Sequence, residues 1–299
     1  VQKARPRHLG RGHAGVGLQP RGQRLGDVAG LGAGGHAVME MLRAVLPDLA
    51  GAAQRAMPAL ARDNIELDFH AAADWDRDGW DEVAVSKWVN FETAIYDNLA
   101  GGLQTTPAWT VGNTDSEKGV AFADVDGNLW PDLAVGHDPT QLWSNDATAM
   151  TMTWESQASY HGHSDIRFCD VDRDGDMDLA YTGDDGTGAH VTAIYQNDGA
   201  GNFTEHVVST NARDAQSVFA ADVDGDGDVD ILGAGYYADE IAWWENTDGF
   251  GTTWTEHTVD GAFGCAYAVY AADVDGDGDM DILGAAYNAD DITWWENAD

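Results

Sequence analysis

The sequence predicts an all-β fold made of about five repeated units with four strands each. Three observations support this prediction. An acidic segment such as DVDGDGDVDIL recurs five times, short apolar segments surround each copy in the same order, and Gly, Asp and Asn separate those apolar segments. Short strands joined by turns of these residues are typical of all-β proteins.

The acidic segment sets the period of the repeat. Its copies begin at positions 74, 124, 170, 222 and 273, so they lie 50, 46, 52 and 51 residues apart. Acidic or amide residues recur at positions 1, 3, 5 and 9 of every copy. Gly occupies position 6 in four copies, whereas Leu129 occupies it in the second. Each unit of about 50 residues therefore carries one copy of the segment.

Four apolar segments per unit indicate four strands. One lies before the acidic segment, and three follow it, as in ILGAGY, IAWWEN and WTEHTV. The third contains two adjacent bulky residues, such as Trp243 and Trp244. Successive strand residues point to opposite faces, so both faces of the sheet must be covered. A blade stacked between two others meets this requirement, and the sequence predicts a β-propeller. Stacking of the Trp pairs on sugars is the alternative interpretation.

The charge is unevenly distributed along the chain. Residues 1–62 contain nine Lys and Arg and three Asp and Glu, so the total of −37 leaves −43 on residues 63–299. Such a surface repels nucleic acids and anionic lipids but suits divalent cations. No apolar stretch approaches the length of a membrane span. We therefore expect neither a nucleic-acid partner nor membrane insertion. Cys169 and Cys265 occupy different repeat positions, which favours small buried side chains over a disulfide.

Residues 1–62 differ from the rest, since they are rich in Gly and Arg and lack the acidic segment. We expect a poorly ordered leader or the remnant of another region, with a short amphipathic helix around His36–Leu46. A basic nucleic-acid arm is the alternative, although no aromatic residues accompany the scattered Arg. The propeller then covers residues 63–299, with blades starting near residues 64, 118, 164, 216 and 266. The chain stops after WWENAD, so the last blade is expected to be truncated and the chain to be a fragment.

The acidic segment has the chemistry of a calcium loop. Alternate residues point the same way until Gly turns the chain, so positions 1, 3 and 5 converge, and position 9 returns from the next strand. Ca²⁺ prefers about 6–8 oxygen ligands in a flexible loop, and the absence of Cys and His from the segments disfavours zinc and copper. An EF-hand would need an acid at position 12, which no copy has. An acidic, solvated turn without metal is the remaining alternative.

The stretch VFAADVDGDGDVDILGAGYYADEIAWWEN resembles the FG-GAP/VCBS-type repeat of integrin-α-like β-propellers, and the resemblance covers roughly residues 64–299. It implies about five Ca²⁺ ions, each bound between the first and second strands of a blade through side chains at positions 1, 3, 5 and 9 and the carbonyl of position 7. The implied side-chain ligands are Asp74, Asp76, Asp78 and Glu82; Asp124, Asp126, Asn128 and Asp132; Asp170, Asp172, Asp174 and Asp178; Asp222, Asp224, Asp226 and Asp230; and Asp273, Asp275, Asp277 and Asp281. The implied carbonyl ligands belong to Trp80, Trp130, Asp176, Asp228 and Asp279.

Two departures from the family pattern affect these expectations. Asn128 removes one charge and Leu129 replaces the Gly of the tight turn, so we expect the second site to be the weakest. Five blades are fewer than the seven usual in the family. We therefore expect an open arc, or a seven-bladed ring completed by further sequence, rather than a closed five-bladed ring.

The function expected from the resemblance is that of a secreted or cell-surface calcium-binding module for adhesion or recognition, lectin-like if its partner is a glycan rather than a cell-surface protein. A ligand is expected on the face opposite the calcium loops, around residues 209–216, 237–240, 260–266 and 288–291. The nearly constant spacing leaves little room for a catalytic insertion, and we expect no enzyme activity. The alternatives are a polysaccharide-active, lyase-like enzyme, with His161 and His163 as the best candidate residues, and a calcium-stiffened spacer.

Overall fold

The computed structural model describes residues 5–8, 67–87, 92–99, 102–112, 119–136, 139–156, 165–184, 190–211, 214–287 and 291–297. Every regular element in these ranges is a β-strand, which confirms the predicted all-β class. The same ranges contain no helix that is long and apolar enough to cross a membrane. The helix predicted at His36–Leu46 lies outside the described residues.

Five four-stranded antiparallel sheets form the fold, and each corresponds to one copy of the repeat. The first sheet contains β2 (Leu67–Ala73), β3 (Glu82–Lys87), β4 (Glu92–Tyr96) and β7 (Trp109–Gly112). A small hairpin of β5 (Asn98–Leu99) and β6 (Gly102–Leu103) lies between β4 and β7 along the chain. The second contains β8 (Gly119–Ala123), β9 (Asp132–Gly136), β10 (Gln141–Asn145) and β11 (Met150–Glu155). The third contains β12 (Asp165–Cys169), β13 (Asp178–Asp184), β14 (His190–Asn197) and β15 (Phe203–Ser209). The fourth contains β16 (Ala215–Ala221), β17 (Asp230–Gly235), β18 (Glu240–Asn246) and β19 (Trp254–Asp260). The fifth contains β20 (Ala266–Ala272), β21 (Asp281–Ala286), β22 (Asp291–Glu296) and β1 (Arg5–His8).

The sheets are arranged as the blades of a β-propeller. In the first four sheets the strands follow one another in chain order from the first to the fourth. The first strands of successive sheets lie side by side, so that β2 contacts β8, β8 contacts β12, β12 contacts β16 and β16 contacts β20. In the described part of the chain the five sheets do not close into a ring. This arrangement places all five acidic segments at the same edge of the array, because each one joins a first strand to a second.

The fifth sheet takes its outermost strand from the N-terminal region. Strand β1 pairs antiparallel with β22, with Arg5 opposite Glu296 and His8 opposite Thr293. The last blade, which was expected from the sequence to be truncated, thus has a fourth strand, and this strand comes from the region expected to be a leader or remnant. An open sheet edge offers unpaired N–H and C=O groups to any extended segment, so pairing requires no apolar pattern in the added strand.

The paired aromatic residues of the third strands pack between blades. Trp243, with 4% of its surface exposed, belongs to an apolar cluster with Val269 and Phe263 on the side of the fifth blade. Trp244, with 5% exposed, belongs to a cluster with Ile194 of the third blade. The two neighbouring rings thus cover opposite faces of one sheet. This confirms inter-blade packing and leaves these rings inaccessible to a sugar.

The two cysteines do not form a disulfide. Cys169 is buried at the end of β12, as expected for a small apolar side chain. Cys265 is only partly buried and has a left-handed backbone conformation, with φ of +55°, just before β20. The sequence therefore predicted the environment of Cys169 but not that of Cys265.

Candidate metal centres

Left-handed backbone conformations curl each acidic segment into a compact loop. Position 6 has a positive φ in all five loops, namely +94° at Gly79, +74° at Leu129, +96° at Gly175, +93° at Gly227 and +103° at Gly278. Glycine adopts this conformation without the steric penalty that other residues incur. Position 4 is left-handed as well, even where it is Arg77 (+59°) or Arg173 (+60°). The sequence indicated the turn at position 6 but not the one at position 4.

Hydrogen bonds from the backbone hold the side chains of positions 1 and 5 in place. The carboxylate of position 1 accepts the N–H of position 6 in every loop, as from Gly227 to Asp222 at 3.0 Å. The side-chain oxygen of position 5 accepts the N–H of position 7, as from Asp228 to Asp226 at 2.8 Å. These bonds draw the loop around its own acidic side chains, as side chains of Asp and Asn commonly do in turns.

The position-9 carboxylate is buried at the base of each loop and joins two chain segments. In the third blade, Oδ2 of Asp178 accepts the N–H of Val171 at 2.8 Å, and Oδ1 accepts the N–H of Asn197, at the end of β14, at 2.8 Å. The same two bonds recur at the other four copies. Each of these carboxylates is at most 1% exposed. Position 9 thus ties its loop to the end of the third strand.

Burial makes the negative charge of position 9 costly when no cation is bound. It raises the pKa of Glu82, Asp178 and Asp230 to about 7 and that of Asp132 to about 6. The pKa of Asp281 is also raised, for the same reason. The backbone N–H donors oppose the shift, but the loss of solvation outweighs them. A bound cation would remove this cost by neutralising the ionised form.

The side chains of positions 1, 3 and 9 converge in the second, third and fourth loops. In each of these loops, one oxygen from every member lies within 4.8 Å of the others; the sets are Asp124, Asp126 and Asp132; Asp170, Asp172 and Asp178; and Asp222, Asp224 and Asp230. Two oxygens bound to one Ca²⁺ at 2.3–2.6 Å lie at most about 5 Å apart, so the geometry fits this ion. In addition, Oδ1 of Asp124 and Oδ1 of Asp170 are buried and accept no hydrogen bond from the described residues. Unpaired buried oxygens of this kind are suited to a metal.

The first loop converges differently. Its positions 1, 3 and 5, which are Asp74, Asp76 and Asp78, form one group within 4.8 Å. A second group contains Asp76, the position-9 residue Glu82 and Asp97, which lies outside the motif. Burial and the neighbouring carboxylates, including that of Asp97, raise the pKa of Asp76. In the fifth loop, Asp273, Asp277 and Asp281 accept the same backbone bonds as their counterparts. The ligand roles of these residues and of the position-7 carbonyls remain predictions.

The second loop has two features consistent with weaker metal binding. The side-chain amide of Asn128 donates to Oδ2 of Asp126 at 3.0 Å and to the carbonyl of Asn145 at 2.9 Å. It therefore occupies an oxygen that a cation would need. Leu129 holds a left-handed conformation that is unfavourable for a residue with a side chain.

Two kinds of residue that link neighbouring loops escaped the sequence prediction. The Asn that ends a third strand donates from its side chain to the position-2 carbonyl of the preceding loop, with bonds from Asn145 to Trp75 (3.0 Å), from Asn246 to Val171 (3.0 Å) and from Asn297 to Val223 (2.8 Å). The recurrence of Asn at the end of YDN, WSN, YQN and WWEN was a signal for this role.

The position-4 arginines reach the next loop in the array. Arg173 donates to the carbonyl of Gly227 at 3.0 Å and forms an ion pair with Asp228 at 2.5 Å. In the same way, the guanidinium of Arg77 lies 5.3 Å from the ring centre of Trp130, in cation–π contact. The first and second loops, and the third and fourth, are therefore in direct contact.

Four tyrosines gather at the opposite edge of the fourth and fifth sheets. Tyr237, at the turn after β17, is 70% exposed, and Tyr287, after β21, is 37% exposed. The ring centre of Tyr236 lies 5.1 Å from that of Tyr237, 6.2 Å from that of Tyr287 and 6.4 Å from that of Tyr267. This group, called the tyrosine patch below, lies where a ligand was expected from the sequence. His161 and His163, the candidate catalytic residues of the alternative lyase-like function, lie outside the described residues.

Comparison with known families agrees with the repeat architecture. A family model described as FG-GAP-like repeat matches residues 170–233 and 222–284. These matches span the acidic loops of the third, fourth and fifth blades, and over these residues they confirm the resemblance predicted from the motif. No curated protein sequence matches the chain. The chain thus contains FG-GAP-like repeats in an all-β, propeller-like array.

Proposed function

We propose that this chain is a calcium-binding β-propeller module of a secreted or cell-surface protein, and that it acts in adhesion or recognition without catalysis. The observation that supports calcium binding is the recurrence of the same cluster of acidic side chains in successive loops. At the same edge of successive sheets, acidic side chains converge around buried oxygens, two of which accept no hydrogen bond from the described residues. The donors in these loops are oxygens only, which disfavours zinc and copper, and a loop with many acidic side chains suits calcium better than Mg²⁺, which demands strict octahedral geometry.

Position 9 explains how calcium would stabilise the module. Its carboxylate holds both the start of the loop and the end of the third strand, and the cost of its buried charge disappears when a cation binds. Binding would therefore strengthen the connection between loop and sheet in each blade. Residues 63–299 carry about −43 formal charges, and about five Ca²⁺ ions would neutralise ten of them where they are densest.

Calcium binding is tested by counting ions. We expect about five Ca²⁺ per chain from calorimetry and from metal analysis of the full chain in millimolar calcium. Mg²⁺ should substitute poorly, because it demands smaller, octahedral sites. Fewer than three ions per chain at saturation would contradict the proposed calcium-binding function.

Recognition is assigned to the tyrosine patch. Exposed aromatic residues are uncommon on a surface without a partner, and Tyr combines an apolar ring with a polar hydroxyl. Asp239, whose Oδ1 accepts the N–H of Cys265 at 2.7 Å, lies beside the patch and is exposed. A neutral glycan suits this combination, because its C–H faces can stack on the rings and its hydroxyls can donate to carboxylates. Acidic glycans would be repelled by the chain's net charge.

Glycan recognition is tested by binding to an array of neutral and acidic saccharides. We expect neutral saccharides to bind and Tyr237→Ala to reduce that binding, since Tyr237 has the most exposed ring of the patch. Phe250→Ala serves as the control, because this residue is 64% exposed on the calcium side of the array. Equal binding by both variants and the unmodified chain would exclude the patch as the glycan site.

A further inference from the structure

The residue that precedes the Asn at the end of each third strand lies next to the calcium loop. In the five blades this residue is Asp97, Ser144, Gln196, Glu245 and Glu296. Its identity is not constant, since it is Asp only in the first blade and Glu in the last two, and it lies outside the repeated acidic motif. In the first blade it is an aspartate that directly follows β4.

Asp97 meets the geometric condition for a ligand. One of its carboxylate oxygens lies within 4.8 Å of oxygens of Asp76 and Glu82, which are predicted ligands at positions 3 and 9. Oδ1 of Asp97 is buried and accepts no hydrogen bond from any described residue. Three carboxylates this close repel one another, and a divalent cation among them would convert the repulsion into attraction. Oxygens that share one Ca²⁺ are separated by at most about 5 Å, so these three carboxylates are close enough to bind one ion.

The corresponding residues of the other blades are committed to other contacts. Nε2 of Gln196 donates to Oδ2 of Asp172 at 2.5 Å, and Oε2 of Glu245 pairs with Nε2 of His257 at 2.7 Å. The hydroxyl of Ser144 shares a hydrogen bond with that of Thr153 at 3.1 Å. Of Asp97, Ser144, Gln196 and Glu245, only Asp97 has a buried carboxylate oxygen that accepts no hydrogen bond from the described residues. Glu296 of the fifth blade also has an interaction partner.

We propose that Asp97 is an additional ligand of the first calcium site, supplied by the end of the third strand. This inference rests on the proposed calcium-binding function. The first site then has five carboxylates, those of Asp74, Asp76, Asp78, Glu82 and Asp97, and is the tightest of the array. It also follows that calcium draws β4 directly onto the loop, in addition to the indirect link through position 9.

The test compares the unmodified chain with three variants by calcium titration calorimetry. Asp97→Asn keeps the shape of the side chain and removes its charge, and we expect the tightest binding event to weaken by about tenfold or more. Asp81→Asn is the matched control, because it removes an equal charge from an exposed side chain in the same loop, outside the predicted ligand positions. We expect this variant to bind like the unmodified chain. Gln196→Glu should strengthen one of the weaker sites by adding a carboxylate beside Asp172.

Thermal melts of the same chains separate a ligand from a merely structural residue. If Asp97 is a ligand, Asp97→Asn should melt at the same or a higher temperature in EGTA, where it relieves repulsion, and at a lower temperature than the unmodified chain in calcium. An equal loss in both conditions would assign Asp97 a structural role and overturn the proposal. An unchanged titration of Asp97→Asn would overturn it too, while leaving calcium binding intact. If the unmodified chain takes up no calcium, the proposed function fails together with this inference.

Discussion

Removal of calcium should lower the melting temperature of the propeller by tens of degrees. The acidic loops contain five like-charged clusters, and the position-9 carboxylates carry the cost of a buried charge in the absence of metal. A ligand that binds only the folded state at a concentration 100-fold above its dissociation constant adds about 2.7 kcal/mol, so five such sites add about 13 kcal/mol. For a domain of this size, about 1 kcal/mol shifts the melting temperature by roughly 2–4 °C, and the total shift is then about 25–50 °C.

Differential scanning calorimetry checks this magnitude near neutral pH, in millimolar calcium and in excess EGTA. Magnesium at the same concentration is the control, and we expect it to restore only a small part of the lost stability. Circular dichroism at the strand band follows the same transition independently. Superimposable melting curves in calcium and EGTA would refute the reasoning and show that the acidic loops are solvated turns.

Three further predictions concern particular residues and pH. The double change Asn128→Asp with Leu129→Gly should raise the calcium affinity of the second site by about tenfold. It adds a carboxylate and removes a Leu whose left-handed conformation is unfavourable. An unchanged calorimetric titration would contradict this prediction. Calcium affinity should fall as the pH drops below about 7, by roughly tenfold per unit for each ligand that becomes protonated, since burial raises the pKa of Asp178 and Asp230 to about 7. The stability of the metal-free protein in EGTA should change with pH in the opposite direction. Because the folded state takes up protons that the unfolded chain does not, its unfolding free energy should increase as the pH falls from about 7 towards about 4. A loss of stability over this range in denaturant titrations would contradict the raised pKa values. Arg173→Met should increase hydrogen exchange in the fourth loop while lowering the unfolding free energy by no more than about 1 kcal/mol, because the Arg173 side chain of the ion pair is 53% exposed. Unaltered exchange there would show that the contact does not restrain the loop.

Much of the fold and of the acidic clusters in the loops could be predicted because the sequence is a repeat. Five copies of the acidic segment fixed the loops, and the paired bulky residues showed that both faces of each sheet are covered, as Trp243 and Trp244 are. Positions 1, 3 and 9 converge as expected in three loops, because strand geometry places alternate side chains on one side until the left-handed turn.

Other features escaped prediction because their periodic signal is absent or incomplete. The strand Arg5–His8 joins the fifth sheet through backbone bonds at an open edge, and these leave no side-chain pattern in the sequence. Asp97 has a different residue in its place in every other copy, so comparison of the repeats conceals it. The left-handed conformation at Arg77 and Arg173 was likewise hidden, although Gly occupies the same position in the other three copies.

The asparagine bonds between blades give the array a polarity. A loop is fastened from the side of the blade that follows it, as Asn246 fastens the carbonyl of Val171 and Asn297 that of Val223. Loss of the fourth blade would therefore remove the Asn246 bond to the third loop, whereas loss of the third blade would remove the Arg173 contacts and leave the Asn297 bond to the fourth loop in place. The fifth loop is the last in the described part of the chain, and loss of the fifth blade would remove the bond of Asn297 to the fourth loop. The asparagine bonds thus transmit the loss of one blade towards the N-terminus, whereas the contacts of Arg173 act in the opposite direction.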